Sequence, residues 1–153
     1  MKIEEAIQQQ HFISEYQKAH LNILHTGSWL SQRTAAILKP YDLTTQQFNI
    51  LRILRGRHPE PATVKLLTER MLDKMSNASR LVDKLLKKGL VERTICSDDR
   101  RRVDVLITQP GLALLEKASV ELEAEMDADN YNLTLDEAAE LNRLLDKLRA
   151  NEE

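Results

Sequence analysis

Between Thr63 and Ile107 the apolar residues change period, and this change constrains the fold more than any other feature of the chain. Thr63 is placed to cap a short helix from Val64 to about Arg70, with Val64, Leu67 and Met71 on one side. After a turn at Leu72-Asp73, a second helix is expected from about Lys74 to Lys88. Its apolar row is Met75, Ala78, Val82, Leu85 and Leu86, and its opposite row is Asn77, Arg80, Lys84 and Lys88. Gly89 stands where a left-handed residue ends such a helix. From Val91 the pattern alternates. Val91–Cys96 reads as one strand, and Val103, Val105 and Ile107 alternate with Arg102, Asp104 and Leu106 in the next. Ser97-Asp98-Asp99-Arg100-Arg101 forms the polar tip between them.

Two short helices followed by a hairpin with three consecutive arginines is the order of a winged helix-turn-helix. A helix with one apolar and one polar, basic face fits the major groove of duplex DNA. A hairpin beside it reaches the neighbouring backbone or minor groove, whose negative potential favours arginine. Ser76, Asn77, Ser79 and Arg80, near the start of the second helix, are the candidate base and phosphate contacts, and Lys84 a phosphate contact. Arg100, Arg101 and Arg102 are the candidates on the hairpin.

Net charge alone would mislead here, because the formal total is −2. Residues 1–51 are neutral, whereas residues 52–107 carry fourteen basic against eight acidic side chains, net +6, and residues 108–153 are net −8. A basic middle beside an acidic tail is the footprint of a local phosphate-binding surface. The 153 residues suffice for one domain, and no apolar run approaches the length that crosses a bilayer. The polar N-terminus has no signal-peptide core, and the single cysteine, Cys96, suits a reducing compartment. A cytoplasmic location follows as the expectation.

Outside the basic segment the pattern is helical. Ile3 to Leu38 reads as one helix striped by Ile13, Tyr16, His20, Leu24 and Gly27, with a soft point at residues 25–28 and an end before Pro40. Thr44 and Gln47 form a capping box that opens a helix buried through Phe48, Leu51 and Leu54. Thr108 and Pro110 begin a helix with Leu112, Leu115, Ser119, Leu122 and Met126 along it. Thr134 and Glu137 make a second capping box before a last helix striped by Ala138, Leu141, Leu145 and Leu148. The first and last helices carry more apolar surface than a domain of this size can cover, which argues for a homodimer through both ends of the chain. Residues 1–38 and 110–153 are therefore the expected dimerisation region, and 39–109 the DNA-binding lobe.

The segments Leu43–Leu51, Ser79–Leu85 with Lys88–Arg93, and Asp99-Arg100-Arg101 with Leu106-Ile107-Thr108 and Gly111 together resemble the MarR family of bacterial and archaeal transcriptional regulators. The similarity runs over nearly the whole chain. It implies a mainly helical protomer of six helices with a small β-hairpin wing, dimerising by its two ends on a pseudo-palindromic operator. It also implies that Asp99 orients the wing through ion pairing and that Arg101 enters the minor groove, with Arg100 the second candidate. The additional arginine at 102 leaves the choice between them open. The family's effector pocket lies between the dimerisation helices and the DNA-binding lobe, which brings forward His20, Leu24, Trp29, Arg33 and Phe48. Arg33 is the natural carboxylate partner there for a small aromatic or amphipathic anion. The resemblance further implies a repressor released by such an effector.

Other readings have less behind them. No Gly-rich phosphate loop, Ser/His/Asp set or metal-ligand spacing supports an enzyme, a cofactor or a metal site. His20 and His25 are five apart and face different sides of a helix. Cys96 lies beside the wing rather than near the N-terminus, where the redox-sensing members of the family carry their reactive cysteine. A structural or incidental thiol is expected. A helical interaction module with a basic face for an acidic partner is the remaining rival, and it predicts no preference for DNA sequence.

Overall fold

A computed structural model of the chain describes residues 1–95 and 102–150. They fall into two compact units that divide between Ala118 and Ser119. In chain order the elements are α1 (Ile3–Ala6), α2 (Glu15–Leu38), a 3-10 turn (Lys39–Tyr41), α3 (Thr45–Arg57), β1 (Ala62–Thr63), α4 (Val64–Arg70), α5 (Ala78–Lys87), β2 (Val91–Ile95), β3 (Val103–Ile107), α6 (Gln109–Ala124), α7 (Ala128–Tyr131) and α8 (Leu135–Arg149). Among the described residues six helices have seven or more residues, as the sequence leads one to expect, and α1 and α7 add one turn each.

The expected single helix from Ile3 to Leu38 is broken, and the break lies at residues 7–14 rather than at 25–28. Gln8 takes a left-handed φ of 54°, and the Ser14 hydroxyl accepts a hydrogen bond from the Gln17 N–H, so a new helix starts there. α1 folds back on α2 through buried Ile3 and an ion pair of 2.6 Å between Lys18 and Glu4. Past that point α2 runs without interruption through Gly27.

The core of the first unit is assembled by α3, α4, α5 and the sheet. Phe48, Ile50, Leu51 and Leu54 of α3, Leu67 of α4, and Val82 and Leu85 of α5 are buried together with Val105 and Ile107 of β3. Thr44 and Gln47 make the capping box that opens α3. The three strands are antiparallel in the order β1-β3-β2. Val91 pairs with Ile107 and Ile95 with Val103, while Ala62 of β1 pairs with Val105. The alternation along β3 turns Val105 and Ile107 inward, as the period-2 pattern requires.

Gly89 has φ +71°, which closes α5 and turns the chain into β2. Thr108 ties the sheet to α6: its hydroxyl donates to the Gly89 carbonyl at 2.8 Å and accepts the Gly111 N–H at 3.2 Å. In the second unit Asn132 adopts φ 52°, and Thr134 with Glu137 caps α8. Among the described residues no helix is long and apolar enough to cross a membrane.

Candidate nucleic-acid interface

α5 has two unlike faces. Ala78, Val82 and Leu85 are buried, and Ser79, Arg80, Asp83, Lys84 and Lys87 are exposed. The helix begins later than its periodicity suggests, at Ala78 instead of Lys74. Asp73 and Asn77 are the cause. Asp73 Oδ1 accepts the Met75 N–H at 3.0 Å and its carbonyl accepts the Ser76 N–H at 3.2 Å, which winds the backbone into a turn. The Asn77 side chain then caps the helix by accepting the Arg80 N–H at 3.0 Å. Met75, expected in the buried row, is consequently 93% exposed.

These local bonds divide the expected contacts. Ser79, Arg80 and Lys84 stand exposed on the outer face of α5. Asn77 is exposed too, but its Oδ1 is committed to the cap, which leaves its amide N–H groups as its remaining donors. The Ser76 hydroxyl is shielded from solvent without a hydrogen-bond partner among the described residues. Asp99, Arg100 and Arg101, together with Cys96, lie outside the described residues. Arg102 sits at the base of β3, where its Nε donates to Asp104 Oδ1 at 3.0 Å. That pair holds the third arginine of the run against its own strand.

Two long-range pairs hold α5 in place, and no local spacing rule could have revealed them. Asp83 on α5 pairs with Arg93 on β2, joining the helix to the strand that leads to the wing. Lys88, which the sequence places on the outward basic row, turns back instead. Its ammonium donates to the Asp42 carbonyl, lies 3.1 Å from the Asp42 carboxylate and is 3.3 Å from Gln47 Oε1. Gln47 is buried, and its Oε1 also accepts the Thr44 N–H at 3.1 Å, so the end of α5 is fastened to the start of α3. Lys88 thus anchors the helix rather than presenting its charge.

The five residues considered for an effector pocket differ in exposure. Phe48 belongs to the core, whereas His20, Leu24 and Trp29 are exposed along α2. Arg33 is half-buried, its guanidinium 5.6 Å from the centre of the Trp29 ring. None of the five lines the open cleft of about 880 Å³ bounded by α2, the start of α3 and α5. That cleft is lined among others by Ser28, Gln32, Lys39, Thr44, Lys84 and Lys87, and its lysines make it cationic.

Comparison with known proteins agrees with this geometry. A model of the MarR family matches residues 41–102, from the turn before α3 to the base of β3. The multiple antibiotic resistance protein MarR of Salmonella typhimurium is 33% identical over 113 residues, covering 72% of this chain and 76% of that protein. The chain belongs to the MarR family. It is a DNA-binding transcriptional regulator of winged helix-turn-helix fold. A crystal structure of a cysteine-to-serine variant of Escherichia coli MarR complexed with operator DNA superposes with a TM-score of 0.71 at 29% identity, covering 83% of this chain and 91% of that one. An organohalide-sensing transcriptional regulator with 2,4-dichlorophenol bound shares the fold, with a TM-score of 0.81 at 22% identity over 90% of this chain and 81% of that one. In this MarR-family chain α4 and α5 are the helix-turn-helix, α5 is the recognition helix, and β2 and β3 are the stem of the wing.

Proposed function

We propose that this MarR-family chain is a homodimeric repressor that occupies a pseudo-palindromic operator and leaves it when a small aromatic or amphipathic anion binds. The recognition helix carries the proposal: it is buried along one face, capped at its leading end, and exposes Ser79, Arg80 and Lys84 on the other. Arg80, in the first turn, reads base edges, and Lys84, a turn later, holds phosphate. Arg101 or Arg100 of the wing enters the minor groove, oriented by Asp99, with Arg102 kept at the base by Asp104. Residues 39–109 form the DNA-binding lobe and residues 1–38 and 110–153 the dimerisation region. Two copies set their recognition helices about one DNA turn, roughly 34–36 Å, apart. Such an assembly works in the cytoplasm, where it blocks polymerase by occupancy. The operator-bound relative at 29% identity supports this use of the fold.

Selecting duplexes from a random-sequence pool tests the DNA reading. The selected site should be a pseudo-palindrome. Arg80→Ala should relax preference at one position per half-site at a cost of about 1–3 kcal/mol, whereas Lys84→Ala should weaken all duplexes alike. Failure to enrich any sequence would overturn the reading.

For the effector, the pair of Trp29 and Arg33 on α2 is the supporting observation: an aromatic face beside a guanidinium suits an aromatic carboxylate or phenolate. The chlorophenol-bound neighbour is consistent with that ligand class. A ligand of this kind releases DNA only if it binds the two lobe spacings with different affinity. Trp29 is the sole tryptophan, so its fluorescence should change during titration with phenolic acids as the operator is released. No change in either signal would contradict the proposal.

A further inference from the structure

The turn between the two helices of the DNA-binding motif is ordered, yet it throws two large apolar side chains into solvent. Leu72 is 83% exposed and Met75 is 93% exposed, while Met71 beside them is fully buried. Their backbone is not loose. The Leu72 N–H donates to Asn49 Oδ1 of α3 at 2.9 Å, the Met75 N–H to Asp73 Oδ1, and the Ser76 N–H to the Asp73 carbonyl. The Lys74 ammonium donates to the Glu69 carbonyl, closing the turn against the end of α4. Leaving such side chains in water forgoes the free energy that burial would give. The hydrogen-bonded turn holds both side chains outward, where a partner surface can cover them.

Position and charge identify the occupant. Met75 stands two residues before the cap of the recognition helix, at the end that enters the major groove in proteins of this kind. Arg80 is exposed within the first turn beyond it, and the Asp73 carboxylate is engaged by the turn's own backbone. Base edges in that groove offer hydrogen-bonding groups throughout, with one apolar exception, the C5-methyl group of thymine. An exposed thioether chain with no donor of its own matches that methyl group better than the polar base edges around it.

We infer that Met75, with Leu72 beside it, reads thymine methyl groups in each operator half-site and so sets sequence preference together with Arg80. The inference rests on the DNA-binding role proposed above. Methionine suits the task because its flexible chain adapts to a methyl group whose position shifts with local DNA shape. This contact adds specificity without adding salt dependence, since no counterion is displaced by an apolar side chain.

The test uses the full-length protein and a duplex that it has selected from a random pool. Each thymine is replaced in turn by deoxyuridine, which removes the methyl group and leaves every hydrogen-bonding group in place. The wild-type protein should lose about fourfold in affinity at one or two thymines per half-site, the worth of one buried methyl group. Met75→Ala should bind the unmodified duplex more weakly and should no longer distinguish thymine from deoxyuridine at one of those positions. Leu72→Ala should do the same at a neighbouring position or at the same one. Both residues are exposed, so neither substitution threatens folding, and circular dichroism checks this. Replacing cytosine by 5-methylcytosine at a position where the selected site tolerates either pyrimidine should restore affinity for the wild-type protein only. Two results would overturn the inference while leaving DNA binding intact: indifference of the wild-type protein to every deoxyuridine, or an unchanged pattern in both variants. Absence of binding to any unmodified duplex would overturn the DNA-binding reading itself, and this proposal with it.

Discussion

Single side chains set where helices begin in this chain, and Glu137 shows how. Its carboxylate accepts the Thr134 N–H at 2.8 Å and the Thr134 hydroxyl at 3.0 Å, while the Thr134 hydroxyl oxygen accepts the Glu137 N–H at 3.3 Å. The backbone hydrogen bond from Thr134 first, and its hydroxyl second, hold the Glu137 pKa below the ordinary glutamate value. A carboxylate depressed on folding contributes stability that is complete above its unfolded pKa and is lost as pH falls through the folded value. Acid should therefore loosen the start of α8, and the Glu137 carboxyl should titrate below a free glutamate in an NMR titration. Glu137→Gln keeps an acceptor but should remove this pH dependence. A midpoint at or above that of free glutamate would show that the cap does not form. Caps of this kind were legible from sequence, since Thr44 with Gln47 and Thr134 with Glu137 stand at the required spacing and both boxes form. The Asp73 turn and the Asn77 cap were not, because the apolar period of residues 75–86 runs on past them.

Elements are joined to one another by contacts that periodicity does not encode. The recognition helix is held to the wing by Asp83 and Arg93, and to the start of α3 by Lys88 and Asp42, a pair 46 residues apart in sequence. Helical spacing could place Lys88 on a face, but it could not show that the ammonium turns inward. The junction of β3 with α6 is tighter still. A Cβ at Gly111 would lie 2.2 Å from the Leu90 carbonyl oxygen and 2.8 Å from Ile107 Cγ1. Gly111→Ala should therefore destabilise the protein by about 1–3 kcal/mol through overpacking, against the usual gain of alanine in a helix. Gly56 in α3 has open space around it, so Gly56→Ala should instead stabilise by about 0.5–1 kcal/mol. Thermal unfolding of the two variants separates these outcomes, and equal shifts of the same sign would refute the packing argument. α4, the body of α5 and strand β3 were readable from sequence because each has one buried and one exposed face. The division of the first helix was not, since Ile13 within the break keeps the apolar spacing of the helix that follows.

At the scale of the molecule, the surfaces that stay apolar and the charge that stays segregated point to different partners. α2 buries only Leu38 and exposes Tyr16, Ile23, Leu24 and Trp29, while α8 exposes Leu135, Leu141, Leu144 and Leu148. Apolar rows on this scale are the mark of an interface, and we propose that a second copy of the chain covers them. Sedimentation should show a dimer, and Leu144→Lys should shift it toward monomer with a parallel loss of operator affinity. A monomeric wild-type protein would refute the dimer. The basic surplus of residues 52–107 belongs to the other partner, the duplex. Its role is tested most directly by measuring the affinity of the protein for duplex from the region upstream of its own coding sequence, and for a scrambled duplex, as salt is raised. Between about 50 and 200 mM salt, affinity for the upstream duplex should fall by roughly 10³–10⁵-fold, as neutralising several phosphates requires, and should exceed that for the scrambled duplex throughout. A flat salt response, or equal affinity for the two duplexes, would contradict the account.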